Sequence, residues 1–211
     1  KHVSWEPFSY EDIKKGQELS YKNPVVPFYR FDKAKMIVSI DADFLGTWLS
    51  PTEYMGAFSK NRKPGQDMSK LVVFESMLSL TGANADTRIQ ITPSQQVTAV
   101  MGIIAELLGN LKVSRYAGDG AVLKTLSQYE NAASEIGIEK ELLAQIAKDL
   151  WSNRGKSLVV AGGITTRTQQ SVDLQVAVNF LNSILENEGK TIDGVNVSHT
   201  SFEGSYKALA G

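Results

Sequence analysis

The chain has 211 residues, no cysteine, two histidines far apart at His2 and His199, and 22 basic against 23 acidic side chains. The lack of cysteine excludes disulfides, thiolate-bound zinc, iron–sulfur clusters and thiol catalysis within it, and two separated histidines leave little for imidazole metal sites or serine–histidine–aspartate triads. A net charge of −1 is no footprint for nucleic acid, and no apolar run approaches the roughly 18 residues of a membrane span, so neither nucleic acid nor direct membrane insertion is expected.

In chain order, Ser9-Tyr10-Glu11-Asp12 carries mild helix-start chemistry. Met36 to Ile40 is the first continuous apolar, β-branched run, the pattern of a strand covered on both faces. Ser50-Pro51-Thr52-Glu53 then reads as a helix start, with a capping hydroxyl, a proline where the lost N–H is harmless, and a glutamate placed to bond back. Lys60 to Ser69 is a polar loop with Pro64-Gly65, and its Lys60, Arg62 and Lys63 read as solvated surface. Leu71 to Glu75 is the second strand and Arg88 to Ile91 a weaker one. Thr92-Pro93-Ser94-Gln95 repeats the capping chemistry before a helical stretch from Gln96 to Leu108. Lys112 to Gly120 is a loop. Ile138 to Asn153 places Leu142, Ile146 and Leu150 at helical spacing, with Gly155 as a stop. Ser157 to Ala161 is the fourth strand. A last helix after Thr168 puts Val172, Val176, Phe180 and Ile184 on one stripe, and Asn187-Glu188-Gly189 closes it. Alternating strands and helices predict an α/β domain with a mainly parallel sheet.

Ligands in such sheets bind beyond the carboxyl ends of the strands. Asp41 and Asp43, just after the first strand, have the spacing to meet a divalent cation or a ribose hydroxyl; turn and helix-entry chemistry explains them as well. Glu75 ends the second strand, where a carboxylate often accepts bonds from ribose, and Thr81 to Asp86 follows in a stretch that also reads as a well-capped connection. Gly162 and Gly163, followed by Ile164, Thr165 and Thr166, form either an anion-ready turn before a helix or a tight turn needing positive φ. The last segment, Asn187 to Gly189, reads as a helix stop. Trp48 and Trp151 read as packing, and His199 as surface. No nucleophile, base and orienting group come together in a catalytic set.

Taken in order, these segments resemble one module of the molybdopterin oxidoreductase superfamily, which includes formate dehydrogenases and dimethyl sulfoxide reductases. Asp41-Ala42-Asp43-Phe44 stands where that family carries G-x-N-P, and Glu75-Ser76-Met77 where it carries D-P-R. Thr81-Gly82-Ala83-Asn84-Ala85-Asp86 stands for T-A-x-x-A-D, Gly162-Gly163 for the glycine pair before a Q-H-type helix, and Glu186 to Ile192 for G-N-x-G-x-x-G. The wording of Asp43 to Trp48, Ser79 to Asp86 and Val159 to Gly162 is similar to one branch, the iron–sulfur subunit of alternative complex III, a membrane complex that oxidises quinol. The resemblance covers about Pro24 to Asp193.

It implies a Rossmann-like three-layer module with helices on both faces of the sheet. Three parts are expected: an N-terminal segment and helix (1–35), the molybdopterin-oxidoreductase-like α/β domain (36–193) and a C-terminal extension (194–211) of a chain that reads as a piece of a longer polypeptide. In the branch, iron–sulfur clusters lie in another region of the parent chain. The partners implied are other domains of that subunit and membrane subunits of the complex, with the assembly at the outer, periplasmic face of the bacterial inner membrane.

The resemblance places the cofactor-binding positions at Asp41, Asp43, Glu75, Thr81, Asp86, Gly162 and Gly163. Departures from the family pattern weaken them. A glycine and an asparagine are replaced by Asp41 and Asp43, an arginine by Met77, and two glycines by Glu186 and Ile192. Two carboxylates within about 6 Å of a pyrophosphate cost on the order of kilocalories per mole at an effective dielectric near 20. The expectation is a non-catalytic domain without a cofactor; the alternative is a working module that binds molybdopterin guanine dinucleotide. A defunct cradle further implies that Asp41→Gly with Asp43→Asn leaves stability little changed.

Overall fold

The computed structural model describes residues 10–65, 67–163 and 167–197. Helix α1 (Glu11–Tyr21) precedes a short strand β1 (Pro27–Tyr29). Strand β2 (Met36–Ile40) leads through an irregular turn to α2 (Pro51–Ser59), β3 (Lys70–Glu75), a single helical turn α3 (Leu80–Ala83) and β4 (Thr87–Gln90). The chain then runs through α4 (Gln96–Ala105), α5 (Gly120–Leu126), α6 (Ala132–Glu135) and α7 (Lys140–Ser152) to β5 (Ser157–Ala161), α8 (Ser171–Ile184) and β6 (Ile192–Val197).

Four strands make one parallel sheet in the order β4-β3-β2-β5. Strands β2, β3 and β5 are the three runs legible as apolar, β-branched segments, and they are buried as a doubly covered sheet requires; β4 is the weaker strand read at Arg88 to Ile91, with only Ile89 buried. Side chains alternate between the faces. Met36, Val38, Ile40, Val72, Phe74, Val159 and Ala161 meet α4, α7 and α8 on one side. Ile37, Leu71, Val73, Leu158 and Val160 meet an aromatic layer on the other, built by Tyr29, Phe31, Phe44, Trp48, Tyr54 and Phe58. Phe31 stacks on Phe44 at 4.2 Å between ring centres, and burial pushes the Tyr29 and Tyr54 phenols well above their ordinary pKa. The result is the expected α/β architecture, with helices on both faces of a mainly parallel sheet.

A second, antiparallel sheet of β1 and β6 was not legible in the sequence. It joins the segment before residue 36 to the segment after residue 191. Arg30 and Asp193 pair across it at 3.2 Å.

Local signals fare unevenly. Thr92 and Gln95 form the complete capping box, with the Thr92 N–H donating to Gln95 Oε1 at 2.8 Å, and a 3-10 turn leads into α4. Ser50 precedes α2 and Pro51 opens it, but the Ser50 hydroxyl makes no capping bond. In α7 the buried stripe is Leu143, Ile146, Ala147 and Leu150, with Leu142 only partly covered. In α8 the buried face is Leu174, Ala177, Val178, Leu181 and Ile184. Val172, Val176 and Phe180 lie to its side, because α1 covers one flank of α8 and shifts the buried arc. Gly16 permits that approach: a Cβ there would stand 2.5 Å from Gln175 Cβ.

The outer edge of β5 is sealed by side chains. The Asn182 amide accepts from the Val159 N–H at 3.2 Å and donates to the Val159 carbonyl at 2.9 Å. Gln175 donates to the Ala161 carbonyl and Thr191 to the Ser157 carbonyl, at 2.9 and 2.6 Å. Asn187, read from sequence as part of a helix stop, is fully buried and donates to Asn182 Oδ1 at 2.8 Å. An edge strand's free backbone groups invite another chain, and here the Val159 N–H and the Ser157, Val159 and Ala161 carbonyls are already occupied.

Candidate functional site

The strand order fixes where a site belongs. The chain builds outward from β2 to β3 and β4, then returns to place β5 on the other side of β2, so the order reverses between β2 and β5. Ligands of open parallel sheets bind at that reversal, beyond the carboxyl ends. Asp41 follows β2 there, and Gly162 and Gly163 follow β5.

Asp41 adopts φ 52°, a left-handed turn that aspartate tolerates better than most residues. Its carboxylate accepts from the Ser76 N–H at 3.1 Å and from Gln96 Nε2 at 2.5 Å, tying the end of β2 to the end of β3 and the start of α4. Asp43 accepts from both the N–H and the hydroxyl of Thr81, at 3.0 and 2.8 Å, and from the Thr47 hydroxyl at 3.2 Å. Thr81 in turn accepts from the Leu45 N–H at 3.0 Å and is fully buried. Glu75 is 1% exposed. It accepts from Arg88 Nε at 2.5 Å, from the Ser79 hydroxyl at 2.6 Å and from the Ser79 N–H. A Cβ at Gly82 would overlap this carboxylate, so glycine is required there.

Asp41, Asp43, Glu75 and Thr81 thus converge at the carboxyl edge, linked by protein donors. Asp86 does not join them. It precedes β4, accepts from the Leu71 N–H at 2.7 Å at the start of β3, and pairs with Arg62 at 2.8 and 3.1 Å. Glu75 lies four residue steps along β3 from Leu71, about 13 Å along the sheet, which puts Asp86 at the amino end. Arg62, read as solvated surface, is held by Asp86 and by the Ser69 carbonyl.

Gly162 and Gly163 have φ 138° and 134°, and each also lacks room for a side chain. A Cβ on Gly162 would lie 2.6 Å from Trp48 Nε1, and one on Gly163 2.7 Å from the Asp41 carbonyl oxygen. The pair lets Trp48 and the turn after β2 pack into the crevice at the strand-order reversal. The Trp48 indole N–H and the Ser76 hydroxyl are buried without a hydrogen-bond partner among the described residues. Ile164, Thr165, Thr166, Ser9 and both histidines lie outside the described residues.

Among the described residues no cluster of His, Cys, Asp and Glu could hold a metal ion, and no helix is long and apolar enough to cross a membrane. Sequence reading missed Gln96 and Arg88, which hold Asp41 and Glu75. Both sit in segments legible as a strand and a helix start, but nothing local marks their distant partners.

No protein-family model matches the sequence, and no curated protein is significantly similar to it. Among solved structures the chain is similar to acetylene hydratase from Pelobacter acetylenicus, with a TM-score of 0.69 at 12% identity over 86% of this chain. The match covers 25% of the hydratase, so the chain spans about a quarter of that protein's length. The likeness is one of backbone and topology: the chain shares the fold of that part of the hydratase.

Proposed function

We propose that this chain is a molybdopterin-oxidoreductase-like domain that holds no dinucleotide and serves as a structural domain of a quinol-oxidising, membrane-associated respiratory complex. One observation carries the reading. At the carboxyl edge, where ligands of such sheets bind, the backbone N–H groups of Ser76, Ser79 and Thr81 donate to the carboxylates of Asp41, Glu75 and Asp43. The protein supplies its own anions where a ligand's would go. A pyrophosphate would have to displace them and then stand beside three carboxylates, of which Arg88 offsets that of Glu75, so the residues present do not fit a guanine dinucleotide. The leftover Trp48 N–H does not change this, since Trp48 is 1% exposed and a single buried donor makes no phosphate cradle.

The place in a respiratory complex rests on the resemblance of Asp43 to Trp48, Ser79 to Asp86 and Val159 to Gly162 to the iron–sulfur subunit of alternative complex III. On this reading the iron–sulfur clusters lie in another region of the parent chain. The domain's partners are that region and the membrane subunits, at the periplasmic face of the bacterial inner membrane.

The test is to purify the tagged parent protein from detergent-solubilised membranes and measure metals, nucleotides and co-purifying subunits. The reading expects iron, multi-helix membrane partners, and no molybdenum or guanine nucleotide. Recovery of a soluble protein with stoichiometric molybdenum and guanine nucleotide would overturn it.

A further inference from the structure

A second region of the molecule has the features of a ligand site, far in sequence from the carboxyl-edge carboxylates. Helix α4 does not end at Ala105 but widens into a π-helical turn over Glu106–Asn110, closed by the Leu111 N–H donating to the Glu106 carbonyl at 2.9 Å. Such turns insert a residue into the helical spacing and are frequent at functional sites. Glu106, Leu107 and Leu108 are all buried in this turn.

Glu106 is 8% exposed, and among the described residues its carboxylate has no hydrogen bond or ion pair. The residue is largely buried, but its carboxylate oxygens keep access to solvent. Glu106 lines a cavity of about 290 Å³ between α4, α5, α6 and α7. Leu126, Leu143 and Tyr129 supply an apolar and aromatic lining, with Glu130 and Lys140 on exposed positions beside it. Two carboxylates against one ammonium leave the lining one negative charge in excess, and its most buried charged group is the unpaired Glu106.

We propose that this cavity binds a primary alkylammonium group, with Glu106 accepting its N–H donors and the leucine and tyrosine side chains covering its carbon chain. A single buried carboxylate suits a monocation. A hard divalent ion needs six or more oxygens, which this lining does not gather. The cavity lies at the small end of ligand pockets and accommodates a short chain.

The test is a titration of the purified chain with n-butylammonium, followed by amide chemical shifts around Glu106 and Tyr129. A lysine-containing, N-acetylated peptide and calcium chloride are titrated in parallel. The proposal expects saturable n-butylammonium binding that Glu106→Gln weakens at least about tenfold, while the near-isosteric Glu130→Gln leaves it within about twofold. Peptide binding at equal or greater affinity would assign the ammonium to a partner's lysine; binding of the free amine alone would assign it to a small molecule. A thermal melt of Glu106→Gln checks that the fold is kept. If that variant does not fold, Glu106→Asp, which withdraws the carboxylate by one carbon, must weaken binding instead. No saturation with either amine, equal binding by the folded variant, or binding of calcium alone would overturn the proposal.

Discussion

Glu75 and Glu106 are both buried, yet they stand in opposite electrostatic situations. Glu75, at the end of β3, is met by the Arg88 guanidinium and by the backbone and hydroxyl of Ser79. Glu106, on the π-turn after α4, meets none of these and faces a cavity. Burial alone therefore does not distinguish a structural carboxylate from one that awaits a ligand; the donors around it do. The same comparison explains the carboxyl edge of the sheet. Asp41 and Asp43 look like a ligand pair in sequence, but their oxygens are committed to Ser76, Gln96, Thr81 and Thr47.

The contrast is broken or sharpened most directly by making the same change at both glutamates. Glu75→Leu removes the acceptor of a buried ion pair and strands the Ser79 donors beside Arg88, and is expected to cost about 3–5 kcal/mol of unfolding free energy. Glu106→Leu removes an unpaired buried charge and is expected to be neutral or to stabilise by about 1 kcal/mol. Chemical denaturation with both variants reads the difference in sign. Similar losses at the two sites would show that Glu106 has a structural partner after all.

Asn182 should come next in size, and it widens the comparison from charges to neutral polar groups. Asn182→Leu leaves the N–H and carbonyl of Val159 unpaired at the sheet edge, along with the Asn187 amide. The expected loss is about 3 kcal/mol, with concentration-dependent association as the freed edge of β5 becomes available for pairing. Light scattering beside the denaturation curve separates the two effects. The double variant Asp41→Gly with Asp43→Asn should cost about 2 kcal/mol, because the Ser76 N–H and Gln96 lose their acceptor. A neutral result would restore the sequence-based expectation that these carboxylates have no structural role.

Strands β2, β3 and β5 were legible because both faces are covered, which leaves continuous apolar runs with β-branched character; β4, at the sheet edge and mostly exposed, left only a weaker signal at Arg88 to Ile91. The α4 start was legible because Thr92 and Gln95 satisfy each other across three residues. What failed depends on contacts distant in the chain. Pro27–Tyr29 and Ile192–Val197 are too short or too polar to announce strands, and they form a sheet only with each other. The stripe of Val172, Val176 and Phe180 has sound helical spacing, but the packing of α1 on α8 selects the neighbouring arc. Asp86 fits a family motif by its place in the order, while its strand carries it to the amino end of the sheet. Glu106 sits inside a run predicted as plain helix, and neither its burial nor its lack of a donor is written locally.

The smallest effect concerns a partly exposed carboxylate with a depressed pKa, and it tests whether satisfied donors stabilise even near the surface. Asp193, at the start of β6, accepts from the Asn196 side-chain amide, from the N–H groups of Asn196 and Val195, and from Arg30 on the segment after β1. The Asn196 amide and backbone N–H, with help from Val195 and Arg30, hold its carboxyl well below the usual carboxylate range. A depressed folded-state pKa favours the ionised form in the native protein. Its contribution is therefore complete at pH values above the unfolded carboxyl pKa near 3.9, and it fades as pH falls through that value toward the lower folded one. Asp193→Asn abolishes this titration while keeping one acceptor oxygen. The melting temperature of the native chain should fall more steeply than that of Asp193→Asn between pH 5 and pH 2, with the two curves nearest each other at the acid end. Parallel curves would mean that the β1–β6 sheet draws nothing from the charge of Asp193, and that donor satisfaction matters in this protein only where the carboxylate is buried.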